Sequence, residues 1–154
     1  MSVKNPRLIY IARFIPFYKE GILRLLSARC DCQFISQDQA FGVGETPELP
    51  ELKHVKKRTF FSRFDWLPIQ GSVSSFRPDV VISELGLSFL PVFFIVFGKM
   101  IWGYKVAFWT HGLEGPRKAG KMWASDYLRK FLLDRADAVI YYTAGCARVS
   151  HGFL

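Results

Sequence analysis

Short apolar runs alternate with longer stretches of helical periodicity along the chain. The apolar runs are short and rich in Val, Ile and aromatic residues, which is typical of buried strands. The predicted strands are residues 7–12, 33–35, 80–83, 105–110 and 138–142, and residues 55–64 form either an edge strand or a basic loop. Strands that alternate with helices pair in parallel through right-handed crossovers. The pattern therefore predicts an α/β fold with a doubly wound, mostly parallel, Rossmann-like sheet and helices on both faces.

The helical stretches lie between these runs. The predicted helices are residues 17–28, 69–76, 88–101 and 121–135. Pro16 stands where the first helix can begin, because proline lacks an N–H that the first turn would leave unbonded. Residues 36–50 and the segment HGLEGPRKAGK that follows residue 110 contain Gly and polar residues, which predicts loops.

The most apolar stretch, residues 85–102, contains a single charge, Lys99, and approaches the length of a membrane span. Gly86, Pro91 and Gly98 interrupt it, and a predicted strand lies on either side. A span would place those two strands on opposite sides of the bilayer, where they could not pair. We expect a buried helix that covers the sheet, with a partly membrane-dipping helix and a transmembrane span as the alternatives.

Length and charge set the class of protein and its partners. At 154 residues the chain fits one domain, residues 1–154, and its 21 Lys and Arg against 13 Asp and Glu give a formal charge of +8. Such a surplus favours polyanionic partners, which are anionic lipid head groups, nucleic acid or phosphorylated substrates, and it does not choose among them. We expect no nucleic-acid partner, because no recognition helix, zinc spacing or aromatic sheet motif is present. Three cysteines, an odd number, favour a reducing cytoplasm over a disulfide framework.

Common catalytic motifs are missing from the sequence. It contains no GxGxxG after the first strand, no GxxxxGK[ST], no GxSxG and no HExxH. These absences argue against a common dinucleotide site, a P-loop, a hydrolase nucleophile elbow and a zincin. We expect no cofactor and no metal.

Ligands of open parallel sheets bind beyond the carboxyl ends of the strands, which selects four segments. They begin at Arg13, Glu84, His111-Gly112 and Thr143. His111 is the strongest candidate, since it directly follows a buried strand and Gly112 allows close backbone approach to a ligand. The alternative is a histidine that satisfies backbone groups at a strand end.

The other three candidates also have two interpretations. Arg13 is placed to bind a phosphate or an acidic acceptor, or it is a solvated charge. Glu84 is placed to act as a base or hold a hydroxyl, or it is a surface carboxylate. Thr143 offers a ligand a hydroxyl, or it caps the next helix.

Four segments in order resemble the N-terminal domain of family 4 glycosyltransferases, which have the two-lobed GT-B fold. They are YIARFIPFYKEGILRLL, RPDVVISE, KVAFWTHG and LRKFLLDRADAVIYYT. The resemblance implies transfer of a sugar from a nucleotide-sugar donor to a glycan, lipid or other acceptor, usually with retention of anomeric configuration. It places the acceptor on this lobe, and it makes His111, whose loop faces the reacting sugar, the catalytic candidate.

The resemblance also implies that a second lobe, lacking here, holds the donor diphosphate. We therefore expect the 154-residue chain to be inactive by itself. Many family members carry a glycine pair after the first strand, where this chain has Arg13-Phe14-Ile15-Pro16. Backbone contact with phosphate is thus in doubt at this loop, and Arg13 is the candidate substitute.

A second hypothesis is a non-catalytic α/β binding module on anionic membrane surfaces. The basic stretch of residues 53–63 and the Arg117-Lys118 pair supply the positive charge for it. Under either hypothesis we expect a cytoplasmic protein, with peripheral attachment to the inner face of the membrane as an option.

Overall fold

The computed structural model describes residues 5–37, 49–110 and 124–151. The strands are β1 Arg7–Ile11, β2 Asp31–Gln37, β3 Leu52–Val55, β4 Arg58–Phe60, β5 Phe64–Trp66, β6 Val80–Glu84, β7 Lys105–Thr110 and β8 Ala138–Tyr141. The helices are α1 Glu20–Ser27, α2 Gln70–Phe76, α3 Pro91–Trp102, α4 Ala124–Arg135 and α5 Ala144–His151. A 3₁₀ turn, Phe17–Lys19, leads into α1.

Within the described ranges, six strands form one parallel sheet in the order β3-β2-β1-β6-β7-β8. From β1 the chain builds outward through β2 to β3, and then it returns to place β6 on the other side of β1. From β6 it builds outward in the opposite direction, through β7 to β8. The direction of winding therefore reverses between β1 and β6, which pair from Leu8↔Val80 to Ile11↔Ser83.

Helices cover both faces of this sheet. Alternate side chains of each strand point to opposite faces, so each strand contributes to the packing on both sides. On one face Ile9 and Ile11 of β1 pack in a buried cluster with residues of α2, α3 and α4. On the other face Tyr10 packs with Leu23 of α1. Because both faces of the sheet are buried, the strands appear in the sequence as nearly continuous apolar runs. The predicted doubly wound, Rossmann-like α/β fold is confirmed.

The apolar stretch of residues 85–102 contains the short helix α3, Pro91–Trp102, which lies on the sheet. It buries Val92, Ile95 and Val96 in the core. Inside it, Gly98 leaves room for Tyr104, whose buried hydroxyl donates to the Ile95 carbonyl at 2.9 Å. A Cβ at Gly98 would stand 2.5 Å from that hydroxyl oxygen. None of the helices in the described ranges is long and apolar enough to cross a bilayer.

Two strand predictions need correction. Strand β2 extends to Gln37, so residues 36 and 37, predicted as loop, pair with His54 and Val55 of β3. The basic segment of residues 55–64 is divided: β3 ends at Val55 as a parallel edge strand, while β4 and β5 form a separate antiparallel hairpin. The mixture of Lys, Arg and Phe in this segment gave no clear alternation, because most of it is exposed on the hairpin.

At the amino edge of the sheet, two aspartates bond to the backbone of a neighbouring strand. The Asp79 carboxylate accepts the Arg7 N–H of β1 at 2.8 Å, and the Asp137 carboxylate accepts the Val106 N–H of β7 at 2.8 Å. The N–H of each aspartate donates in return to the carbonyl of the same residue, at 2.8 Å in both cases. These paired bonds fix the register of β1 with β6 and of β7 with β8.

Two lysines add charge to the second of these sites. Lys99 of α3 lies 2.9 Å from Asp137, and Lys105 lies 3.3 Å from it. Burial by itself would raise the pKa of the Asp137 carboxyl, but the hydrogen bonds from Val106, Lys99 and Lys105 lower it to about 2. Asp137 is therefore a charged structural residue at neutral pH.

Candidate functional site

The candidate site is the region around the carboxyl ends of β1 and β6, where the winding of the sheet reverses, and we name this region the crevice. Loops that leave neighbouring strands in opposite directions open a gap at such a point, and ligands of open α/β sheets bind there. The loop after β1 carries Arg13, and Glu84 is the last residue of β6. Two of the predicted site residues thus flank the crevice.

A buried lysine holds the Glu84 carboxylate in place. Lys19 Nζ lies 2.6 Å from Glu84 Oε1 and donates to the Tyr10 hydroxyl at 2.9 Å. The Tyr10 hydroxyl lies 3.4 Å from the same Glu84 oxygen, which closes a triangle of polar contacts. Only 2% of the Lys19 side chain is exposed, against 27% for Glu84. Glu84 is therefore the member of the triangle that a ligand in the crevice can reach.

Aromatic rings surround the Lys19 ammonium on its other sides. Its Nζ lies 4.8 Å from the centre of the Trp109 ring, 5.4 Å from that of Tyr142 and 5.6 Å from that of Tyr10. Trp109 packs edge-on against Tyr10, with ring centres 6.0 Å apart, and its ring is tilted against that of Tyr142 at 5.7 Å. Each ring face attracts a cation, so the cluster compensates part of the loss of hydration of this buried charge.

The protonation states follow from these contacts. Burial by itself would lower the pKa of Lys19, but its interactions with the Tyr10 hydroxyl and the Glu84 carboxylate, which include a hydrogen bond to each, raise it above its ordinary value. Burial, together with the nearby Glu84 charge, raises the pKa of Tyr10 as well. Near neutral pH Lys19 is a cation and Tyr10 is a neutral phenol. Lys19 therefore acts as a fixed positive charge and cannot serve as a base.

The local sequence explains how a lysine comes to lie inside. Pro16 is extended, and its carbonyl accepts the Lys19 N–H at 3.0 Å, which closes the 3₁₀ turn that precedes α1. One helical turn later Leu23 is fully buried, so Lys19 and Leu23 share the inward face. Tyr18 and Ile22 fall on the outward face and are exposed. The turn therefore delivers Lys19 onto the face of the sheet that carries Tyr10.

Arg13 bridges the two sides of the crevice. Its guanidinium hydrogen-bonds the Ser88 hydroxyl in the loop after β6, and its Nε lies 3.4 Å from the Asp65 carboxylate of β5. It also lies over the Phe89 ring, 5.7 Å from the centre. Arg13 is thus not a freely solvated charge, and its predicted contact with a phosphate or an acidic acceptor stays a prediction.

Thr143 follows β8 at the same edge and acts as the cap of α5. Its hydroxyl accepts the Cys146 N–H at 3.2 Å, which is the bond expected of a helix cap. The structure thus supports the capping interpretation of Thr143, and its contact with a ligand stays a prediction. The preceding residue, Tyr142, contributes its ring to the cluster around Lys19.

His111 and Gly112 lie outside the described residues, so their predicted roles stay predictions. The strand that leads to them ends at Thr110 and contributes Trp109 to the crevice.

The predicted site residues did not include Lys19, Tyr10 or Trp109. A lysine in the first turn of an amphipathic helix has the pattern of an exposed residue, and its partner Glu84 lies 65 positions away. One signal was present: Tyr10 is the only hydroxyl-bearing residue in the run RLIYIA, and a buried Tyr hydroxyl usually has a hydrogen-bond partner.

This arrangement can bind a ligand rich in hydroxyl groups. A carboxylate that two side-chain donors orient accepts strong hydrogen bonds, and the neighbouring Trp109 and Tyr142 rings add apolar surface. In the part of the chain that the structure describes, no group of three or more His, Cys, Asp or Glu side chains could hold a metal ion. The chain matches no protein-family model and no curated protein.

Proposed function

We propose that this chain is the acceptor-binding lobe of a glycosyltransferase that uses a nucleotide-sugar donor. The observation that carries the proposal is the Glu84 carboxylate, held by the buried Lys19 ammonium at the point where the sheet reverses. The resemblance of the four ordered sequence segments to family 4 glycosyltransferases supplies the reaction.

In this proposal Glu84 binds a hydroxyl group of the acceptor. Lys19 and Tyr10 both contact Oε1 of Glu84, so the side chain has a defined orientation before the ligand arrives. A carboxylate oriented in advance loses little freedom on binding, which favours a hydroxyl placed in one geometry. Trp109 and Tyr142 lie next to the carboxylate and border the acceptor.

A second lobe holds the donor, and the cleft between the two lobes excludes water during transfer. His111 follows β7 and would face the donor sugar from this lobe. Arg13, fixed by Ser88 and Asp65, keeps the two loops of the crevice together and adds positive charge at its rim.

The test is reconstitution of transfer with a donor-binding lobe, either mixed with this chain or fused to it. Release of nucleoside diphosphate and formation of glycosylated product are measured together. We expect Glu84→Gln to lower kcat/KM by about 10- to 100-fold, because it removes a charged hydrogen bond worth about 1.5–3 kcal/mol. The matched control is Glu20→Gln on α1, whose carboxylate pairs with Arg24 at 2.7 Å, outside the crevice.

The two variants separate a role in binding from general loss of charge. Unchanged activity of Glu84→Gln, or an equal loss in Glu20→Gln, contradicts the role given to Glu84. A His111→Ala variant as active as the reconstituted parent removes His111 from the mechanism. Absence of transfer with any donor lobe, while the crevice binds sugars, would leave a binding module in place of an enzyme.

A further inference from the structure

The hairpin β4–β5 ends in an exposed turn with an unusual backbone. Its strands pair from Arg58↔Trp66 to Phe60↔Phe64, and the Arg63 N–H bonds to the Phe60 carbonyl at 3.1 Å. The two residues between, Phe61 and Ser62, have φ angles of 51° and 52°. Such a turn is normally built from Asn and Gly, because positive φ crowds a side chain against the backbone.

Packing within the chain does not account for a phenylalanine at this position. The Phe61 side chain is 92% exposed, and its neighbour Phe60 is exposed as well. Positive φ is sterically unfavourable for a bulky residue. Exposure of its apolar ring to water is a second, independent cost. Backbone strain of this kind is often found at functional contacts.

The base of the hairpin is fixed to the body of the domain. The Asp65 N–H donates to the Ser88 carbonyl at 2.8 Å, and the Leu90 N–H donates to the Asp65 carbonyl at 2.9 Å. Trp66 packs edge-on against Phe94 of α3 at 6.1 Å. The tip therefore projects from a rigid base, on the same edge of the sheet as the crevice.

Positive charge surrounds the apolar tip. The exposed segment of residues 56–63 reads KKRTFFSR and contains four basic residues and no acidic one. The nearest carboxylate along the chain, Asp65, lies 3.5 Å from Lys57 and 3.4 Å from Arg13. An apolar tip surrounded by cations matches an anionic bilayer, where the rings enter the acyl boundary and the cations meet the lipid phosphates.

We propose that the β4–β5 hairpin docks the protein on anionic lipid bilayers, with Phe61 as the residue that inserts. The inference is independent of sugar transfer, since it rests on the hairpin alone. It predicts binding that needs both the negative surface and the apolar tip.

The test is co-sedimentation of the 154-residue chain with vesicles of phosphatidylglycerol and phosphatidylcholine in equal parts, and with vesicles of phosphatidylcholine alone. We expect binding to the anionic vesicles that weakens between about 0.1 M and about 1 M salt, as the Debye length falls from about 10 Å to about 3 Å. Phe61→Asn should weaken binding by about tenfold or more, because it removes the inserted ring. Asn accepts positive φ, so this variant keeps the turn.

Two controls make the result specific. Met100→Gln removes another exposed apolar side chain, 78% exposed near the end of α3 and therefore at the opposite edge of the sheet. Ser62→Gly relaxes the turn and leaves the phenylalanines in place. Both should bind within about twofold of the parent, as is usual for surface changes away from a contact.

Three outcomes would overturn the proposal. They are no binding of the parent to anionic vesicles, unchanged binding of Phe61→Asn, and an equal loss in Met100→Gln. Binding to soluble polyphosphate without binding to vesicles would also overturn it and would assign the cations to a dissolved polyanion.

Discussion

The two edges of the parallel sheet each hold a lysine–carboxylate pair, and the two carboxylates differ in what else they bind. At the amino edge Asp137 accepts the Val106 backbone N–H together with Lys99. At the carboxyl edge the described partners of the Glu84 carboxylate, Lys19 and Tyr10, are both side-chain donors. The Asp137 carboxylate therefore links two strands, whereas side-chain donors hold the Glu84 carboxylate in one orientation.

This difference separates a structural pair from a candidate binding pair. A carboxylate bonded to the backbone cannot turn to a ligand without disturbing the register of the strands. A carboxylate held by side chains at an open edge can take a further hydrogen bond without loss of the fold. The position of Glu84 at the reversal of the sheet makes this second arrangement the candidate for ligand binding.

The largest effect on stability is expected from Lys19→Met, which removes the buried cation and keeps most of the length of the side chain. Glu84 then loses its counter-charge, and we expect the free energy of unfolding to fall by about 3 kcal/mol, as for other broken buried pairs. Urea unfolding measures the change. The double variant Lys19→Met/Glu84→Gln should recover most of the loss.

A loss below about 1 kcal/mol in Lys19→Met would mean that the pair behaves like an ordinary surface pair. The distinction between the two edges would then fail. Glu20→Gln, which breaks a surface pair on α1, gives the reference value, expected to be at most about 0.5 kcal/mol.

A smaller effect is expected at the amino edge from Asp137→Ala. It leaves the Val106 N–H without its side-chain acceptor, and we expect a loss of about 2 kcal/mol in urea unfolding. Asp79→Ala removes the matching bond to the Arg7 N–H of β1 and serves as the paired variant. If Asp137→Ala and Asp79→Ala lower the free energy of unfolding equally, the hydrogen bond from the backbone N–H supplies the stability, and the two lysines near Asp137 add little to it. No loss in either would contradict the role in register.

The smallest expected effect is a change in the contribution of Asp137 to stability at acidic pH. The pKa of Asp137 is about 2 in the folded chain, below its ordinary value of 3.8, so the unfolded chain binds the proton more tightly. The stabilisation by this carboxylate is therefore complete above about pH 4 and is lost as the pH falls towards 2. The difference in free energy of unfolding between the parent and Asp137→Asn should shrink over that interval. A constant difference would contradict the lowered pKa.

Much of the fold could be predicted from the sequence because parallel strands leave a strong local signal. The run KVAFWT was predicted with the bounds that β7 has, and the helix that became α3 was assigned to the sheet and not to the membrane. The hairpin was missed because its turn has Phe61 and Ser62 where a predictor expects Asn and Gly.

The candidate site was only partly predictable, for a physical reason. The rule that ligands bind beyond the carboxyl ends of parallel strands selected Arg13 and Glu84, and the structure has both residues at the carboxyl edge of the sheet. It could not identify Lys19, because the burial of a lysine depends on partners that the fold brings from three distant segments. The roles of His111, Gly112 and Thr143 in binding stay predictions, and the His111→Ala variant tests the first of them.

The central place of β1 has a consequence for the order of folding. Its pairing with β2 joins residues close along the chain, such as Arg7 and Asp31, whereas Leu8 meets Val80 only after more than half of the chain has been made. Contacts between residues so far apart along the chain slow the search for the native state. During synthesis one side of β1 therefore remains an unpaired strand edge until β6 has been made and pairs with it. Chaperones or other chains can bind this edge in the meantime.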